Sequence, residues 1–321
     1  MKYWKGGSDL RRILVTAISG NVSNGILKIL KETDEQVFGC DIYDYPVGMD
    51  KVISYWKSDM AVNPSYIENL LKKCKEYGIT HLIPVNEYEI RVINNNMEQF
   101  KNADIKVMMN EKFIVDTFLD KYKTYQYLKG IEGVHVPRTY RYDEFVEDGQ
   151  EYIVKLNQSC GSKFFKKIKA KQELDALNLM KDEYVIQEYL ENSEEEYTAG
   201  VFSDGERTFV ISFRRKLEHG YTSFVELVHD ETIEKEAKLI AKKVGLKGYM
   251  NIQLRKQNGN NYIFEINPRI SGTVFFRHML DFKDVLWWLD LMDGKCDFEY
   301  LCKHKTAIGM RELREKFVVL D

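Results

Sequence analysis

Two apolar-alternating runs, 249–255 and 262–267, flank Lys256-Gln-Asn-Gly-Asn-Asn261, and the pattern predicts a β-hairpin turned on its Asn and Gly residues. No other stretch constrains the chain as tightly, because side chains two apart on a strand share a face. Glu265 and Asn267 therefore point the same way, and Gln253 on the partner strand can face them. Pro268 ends the strand, with Arg269 directly after it. One carboxylate, two amide oxygens and a nearby guanidinium make a set of hard oxygen donors beside an anion clamp. The plain alternative is an edge hairpin with its polar side chains on a wet face.

Four more segments carry chemistry of the same kind. Asp120-Lys121 opens a helical stretch, and Ile153-Val-Lys155 precedes a loop of small residues. Gln187-Glu-Tyr-Leu190 closes an apolar strand, and Glu196-Tyr-Thr198 begins the next. With the Gln253 strand and Glu265-Ile-Asn-Pro-Arg269, these segments resemble, in their order, the ATP-grasp superfamily, most closely its carbamoyl-phosphate-synthase-like branch. The likeness runs from about Leu14 into the C-terminal region.

That resemblance implies an α/β (α+β) protein: a Rossmann-like N-terminal domain followed by a two-lobed ATP-grasp fold. Domains are expected over 1–110, 111–188 (with the phosphate loop) and 189–321 (with the metal site). It further implies ATP and Mg²⁺ (or Mn²⁺), with Gln253, Glu265 and Asn267 as metal ligands. Lys121 and Lys155 would meet the α and β phosphates, under a loop carrying Ser159, Gly161 and Ser162. Gln187, Glu188, Tyr189 and Leu190 would form the adenine hinge. Glu196 would bond the ribose hydroxyls, with Glu194 and Glu195 as adjoining choices. Arg269 and one of Arg214 or Arg215 would neutralise charge on the transferred phosphate; Arg214 and Arg215 face opposite ways on a strand, so one of the two is excluded.

The first hundred residues alternate strand and helix patterns: an apolar run over 12–18, a helical stretch over 26–30, a strand over 37–41, an amphipathic helix over 66–77 closed by Gly78, and a strand over 81–85. Such alternation predicts an open parallel sheet. The turn after the first run lacks G-x-G-x-x-G, so a dinucleotide site is not expected. Ligands of such sheets bind at the carboxyl ends of strands, where Ser19, Gly20, Asn21 and Glu87 fall. Ser271 and Gly272, beyond the metal strand, are further candidates for the acyl group, or Ser271 and Thr273 cap a helix.

Composition sets limits. The chain has 321 residues, 44% of them hydrophobic and 30% charged, with a formal net charge of −3, so no global field recruits nucleic acid or an anionic membrane. No apolar run reaches transmembrane length. Five scattered cysteines show no metal-binding spacing and predict reduced thiols in a cytoplasmic protein. Trp287-Trp288, between Leu286 and Leu289, reads as a core helix or the face of a homodimer.

The function expected is ATP-dependent joining of a small carboxylic acid to an amine through an acylphosphate, without a protein nucleophile. The rivals are a carbamoyl-phosphate-synthase-like phosphotransferase acting on a small acid, and an ATP-binding subunit without chemistry.

Overall fold

The computed structural model describes residues 10–158, 166–191, 196–218, 220–312 and 317. The chain divides into two compact units: Met1–Asn110 with Arg269–Lys303 and Met310–Asp321, and Glu111–Pro268 with His304–Gly309.

The first unit begins with β1 (Arg12–Val15), α1 (Asn21–Leu30), β2 (Gln36–Asp41), β3 (Ser54–Lys57), α2 (Tyr66–Glu76), β4 (His81–Ile83), α3 (Glu87–Asn94), α4 (Met97–Asn102) and β5 (Lys106–Val107). Its five strands form one parallel sheet in the order β3-β2-β1-β4-β5. β1 and β4 are buried along almost their whole length, as strands covered on both faces must be. Strand order reverses between β1 and β4, which is where such sheets open a crevice at their carboxyl ends. The turn after β1 carries Ser19 and Gly20, and Asn21 begins α1; Glu87 begins α3 just after β4.

The second unit contains α5 (Lys112–Phe118), α6 (Lys121–Leu128), β6 (Thr139–Tyr140), β7 (Tyr152–Leu156), β8 (Lys166–Ile168), α7 (Lys171–Ala176), β9 (Tyr184–Glu188), β10 (Glu196–Ser203), β11 (Thr208–Glu218), β12 (Tyr221–Val228), α8 (Glu231–Val244), β13 (Gly248–Gln257) and β14 (Asn260–Asn267). Two antiparallel sheets result, β6-β9-β7-β8 and β14-β13-β10-β11-β12, the larger extended at its edge by β15 (Ile308–Met310). One face of the larger sheet packs Tyr197, Ala199, Val201, Ile252 and Leu254 against Ile233, Ala237, Ile240 and Ala241 of α8. Gly245 stops α8 in a left-handed conformation (φ 65°), which costs glycine nothing.

After Pro268 the chain returns to the first unit through α9 (Val274–Met279) and α10 (Asp284–Met292). Residues 269–303, which the sequence alone leaves with the last lobe, pack here for two physical reasons. α1 meets α9 so closely that a Cβ on Gly25 would lie 2.5 Å from Val274 Cγ1. Arg11, at the start of the sheet, bonds Asp290 and Asp293 at 2.5 and 2.6 Å and Glu35 at 3.1 Å, so its buried charge is fully paired. Trp287 and Trp288 are both buried, which makes α10 a core helix and leaves no tryptophan face for a second copy. β15 (Ile308–Met310) completes the edge of the larger sheet, where Leu227 N donates to Ala307 O. No helix among the described residues is long and apolar enough to cross a membrane.

Candidate active site

The hairpin forms on a two-residue turn, Asn258-Gly259, both in the left-handed region (φ 52° and 78°), the geometry that matches strand twist. β13 and β14 pair with Gln253 opposite Glu265 and Asn251 opposite Asn267. A bulge displaces Phe264, but it precedes both predicted ligands and leaves their shared face intact. Asn267 Nδ2 donates to Glu265 Oε1 at 3.1 Å. Gln253, Glu265 and Asn267 are thus brought together on the face opposite the α8 core.

The same face carries the basic groups. Asp120 caps α6 by accepting from Lys123 N at 2.9 Å, and its other oxygen accepts from Asn157 Nδ2 at 2.8 Å. Asn157 Oδ1 in turn accepts from Tyr122 N at 3.0 Å. This buried exchange pins the start of α6 to the end of β7, and so sets Lys121 beside Lys155. Lys155 Nζ donates to Gln187 Oε1 at 2.7 Å, and Gln187 Nε2 to Thr139 Oγ1 at 2.9 Å. Burial and the neighbouring charge of Lys121 push the Lys155 ammonium down to about 7, against the attraction of Glu265. Burial would raise the Glu265 carboxyl, but Lys121, Lys155, the Asn267 bond and Arg215 together hold it below its usual range. It therefore stays ionised at neutral pH.

Strand register decides between the two arginines. Arg214 lies opposite Tyr197, whose ring is in the α8 core, and it bonds Glu226 at 2.5 Å on that side of the sheet. Arg215 projects to the other face, where it donates to Glu196 Oε1 at 2.8 and 3.1 Å and to Gln253 Oε1 at 2.7 Å. Of the two, Arg215 shares the face of Gln253 and Glu265, and Arg214 does not. Glu196 Oε2 accepts two further bonds from Arg255, which the sequence reading does not single out. Its signal was nonetheless present: Arg255 shares a strand face with Gln253 and lies opposite Glu196.

The groups expected at the adenine hinge are partly committed to bonds within the unit. Glu188 N donates to Arg138 O and Tyr189 N to Glu151 O, at 2.8 and 2.9 Å. Glu188 Oε2 accepts from Arg138, and Lys167 Nζ stacks 3.5 Å over the Tyr189 ring. Leu190 O accepts from Arg255 at 2.8 Å. Ser159, Gly161, Ser162, Glu194 and Glu195 lie outside the described residues.

In the first unit, Ser19 N donates to Asp41 Oδ2 at 2.7 Å, and Gly20 N to Ala17 O at 2.9 Å, while Asn21 opens α1. Asn86 caps α3, and Glu87 accepts from Arg269 at 2.7 Å. Ser271 and Thr273 do not cap α9 through their side chains; both hydroxyls instead accept from Arg277, at 2.8 and 2.6 Å. Gly272 O accepts from Arg311 at 2.8 Å.

In the second unit, the oxygen donors Glu265, Asn267 and Gln253 suit a hard divalent cation. Among the described residues, Lys121, Lys155, Arg215 and Arg255 against Glu196 and Glu265 leave positive charge in excess for a polyanion when Lys155 is protonated.

Residues 118–273 match the ATP-grasp domain, and residues 14–108 match the PylC-like N-terminal domain. The chain thus carries an ATP-grasp domain behind a PylC-like N-terminal domain, and carbamoyl phosphate synthase large chains are among its relatives. Over 248 residues it is 24% identical to the tyramine–L-glutamate ligase of Methanocaldococcus jannaschii, a match covering 71% of this chain and 72% of that one. Over 101 residues it is 34% identical to the arginine-specific carbamoyl phosphate synthase large chain of Bacillus subtilis, covering 28% of this chain and only 10% of the synthase. The biotin carboxylase domain of Hydrogenobacter thermophilus 2-oxoglutarate carboxylase, solved with MgADP, shares the fold at a TM-score of 0.70 and 15% identity, over 90% of this chain and 71% of that one.

Proposed function

We propose that this chain is an ATP- and Mg²⁺-dependent ligase that joins a carboxylic acid to an amine and releases ADP and phosphate. The observation that carries the reading is the meeting of Glu265, Asn267 and Gln253 with Lys121, Lys155 and Arg215 on one face of the second unit. Glu265, Asn267 and Gln253 would hold Mg²⁺, whose contribution is to neutralise phosphate charge as phosphoryl transfer proceeds. Lys121 and Lys155 take the phosphates, as compact ammonium groups suit. Ser159, Gly161 and Ser162 are assigned to the loop over those phosphates, and the hinge from Gln187 to Leu190 to the adenine.

An oxygen of the substrate carboxylate attacks the γ-phosphorus, the bond to the β-phosphate oxygen breaks, and ADP leaves. Arg215 neutralises the developing charge, and Arg269, two residues after Asn267 in the chain, is assigned the same task. A neutral amine nitrogen then attacks the acyl carbon; an amide bond forms, phosphate departs with the carbon–oxygen electron pair, and the nitrogen loses a proton. ATP activates the acid, so no nucleophilic side chain is required.

Selection of the acid is assigned to Ser19, Gly20, Asn21, Glu87, Ser271 and Gly272 of the first unit. The tyramine–glutamate ligases make an amino acid and a primary amine the first pair to try. We place the reaction in the cytoplasm, a reading supported by the free thiols of Cys40, Cys74, Cys296 and Cys302. The test crosses a library of acids with a library of amines and follows ADP release together with amide mass. ADP formation that needs both partners, with a matching amide, is the expected result; ADP with a phosphorylated acid and no amine requirement would overturn it.

A further inference from the structure

Arg255 is held by more bonds than charge balance requires. Its Nε and one terminal nitrogen donate to Glu196 Oε2 at 3.1 and 2.8 Å, and its other terminal nitrogen donates to the Leu190 carbonyl at 2.8 Å. Glu196 already has a guanidinium, since Arg215 donates twice to Oε1. One arginine neutralises one carboxylate, so the second does something other than compensate a buried charge. Arg255 also lies 5.6 Å over the Phe264 ring, which the β14 bulge brings beneath it.

We propose that Arg255 is a nucleotide-positioning residue, a rigid strut that fixes the carboxylate of Glu196 against the end of the hinge at Leu190. The inference rests on the ATP reading of this unit and extends it. Leu190 and Glu196 are six positions apart in the chain, and the guanidinium joins them directly through space. Two nitrogens of the planar guanidinium meet one carboxylate oxygen, Oε2, and the third meets the Leu190 carbonyl, so the group fixes the distance between that oxygen and the end of the hinge, which a single ammonium cannot do. The base and the ribose of one nucleotide must be met by groups at fixed separation. Arg255 supplies that separation by tying the base-side backbone to the ribose-side acid. It touches no reacting atom, and its effect passes through Glu196.

The test is calorimetric binding of MgADP and of the Mg²⁺ complex of 2′,3′-dideoxyADP to the full chain, to Arg255→Gln and to Arg255→Lys. The unaltered chain should prefer the ribose form by about tenfold or more, the scale of one or two hydrogen bonds to a charged group. Arg255→Gln should weaken MgADP by a similar factor while changing the dideoxy form by less than about threefold, so that the preference collapses. Arg255→Lys, which keeps charge and loses the fork, should fall between them and serves as the readout if the Gln variant does not fold. A ribose preference left undiminished by Arg255→Gln, or by Arg255→Lys, even with both affinities reduced together, would mean a merely structural role and overturn the inference. An unaltered chain that binds MgADP without any ribose preference would overturn it too. Failure of the unaltered chain to bind MgADP at all would instead remove the ATP reading beneath it.

Discussion

Lys155 Nζ sits 2.7 Å from Gln187 Oε1, so the strand proposed to meet the phosphates is bonded to the strand proposed to lead into the hinge. Burial and repulsion from Lys121 lower this ammonium from 10.5 to about 7. The unfolded chain therefore binds more protons than the folded one between those values, and the penalty of holding Lys155 charged, full below pH 7, is relieved as pH rises through that window. Phosphates would draw the pKa back up. Binding of MgADP at about pH 8.5 should take up close to one proton, and affinity should fall as pH rises from 7. Calorimetry in two buffers of different ionisation enthalpy measures the uptake, and Lys155→Met should abolish it. Nucleotide binding without proton uptake in the unaltered chain would contradict this environment for Lys155.

Arg215 and Arg214 are neighbours with opposite surroundings, and their substitution separates site from surface. Arg215→Met removes the contacts to Glu196 and Gln253 and should cut turnover about a hundredfold, as loss of a preorganised charge stabiliser does. Arg214→Met breaks a pair with Glu226 that is about two-fifths exposed at both ends, and should cost less than about 1 kcal/mol of stability with little change in rate. Steady-state rates of ADP release compare the two. A larger loss for Arg214→Met would place the wrong face of the sheet in the site.

Arg277 and Asp284 are both fully buried and joined by two bonds, at 3.0 and 2.6 Å. Arg277 also holds the hydroxyls of Ser271 and Thr273. Arg277→Met leaves the Asp284 charge buried without its partner and should cost about 3–5 kcal/mol in denaturant unfolding. Converting both, to Met and Leu, should cost less than the single change, because no charge is stranded. A single variant within about 1 kcal/mol of the unaltered chain would show that the pair is not what fixes the loop after Pro268.

The meeting of Gln253, Glu265 and Asn267 on one face was legible because its logic is local. A period of two places Glu265 with Asn267, and the bulge at Phe264 falls before both, so the alternation survives where it matters. Strand and helix alternation likewise indicated the parallel sheet of the first unit, since each β–α step there is short. The choice between Arg214 and Arg215 needed register, which rests on Tyr197 taking a place in a core assembled from distant residues. Arg255 stayed hidden because a charged residue near a strand end reads as a solvated one; only Glu196 and the Leu190 carbonyl give it a role. The placement of residues 269–303 turns on Gly25 against Val274 and Arg11 against Asp290, contacts some 250 residues or more apart in sequence that no local pattern announces.

The central claim is that Glu265, held ionised by Lys121, Lys155 and Arg215, is the metal-binding carboxylate of an ADP-forming ligase. The most direct measurement is ADP release and amide formation by Glu265→Gln, which preserves size and removes the charge, with folding checked by thermal unfolding. A fall of about a hundredfold or more in turnover at saturating Mg²⁺ is expected, as when a metal clamp is lost. A folded Glu265→Gln protein that turns over ATP at close to the unaltered rate would contradict the account.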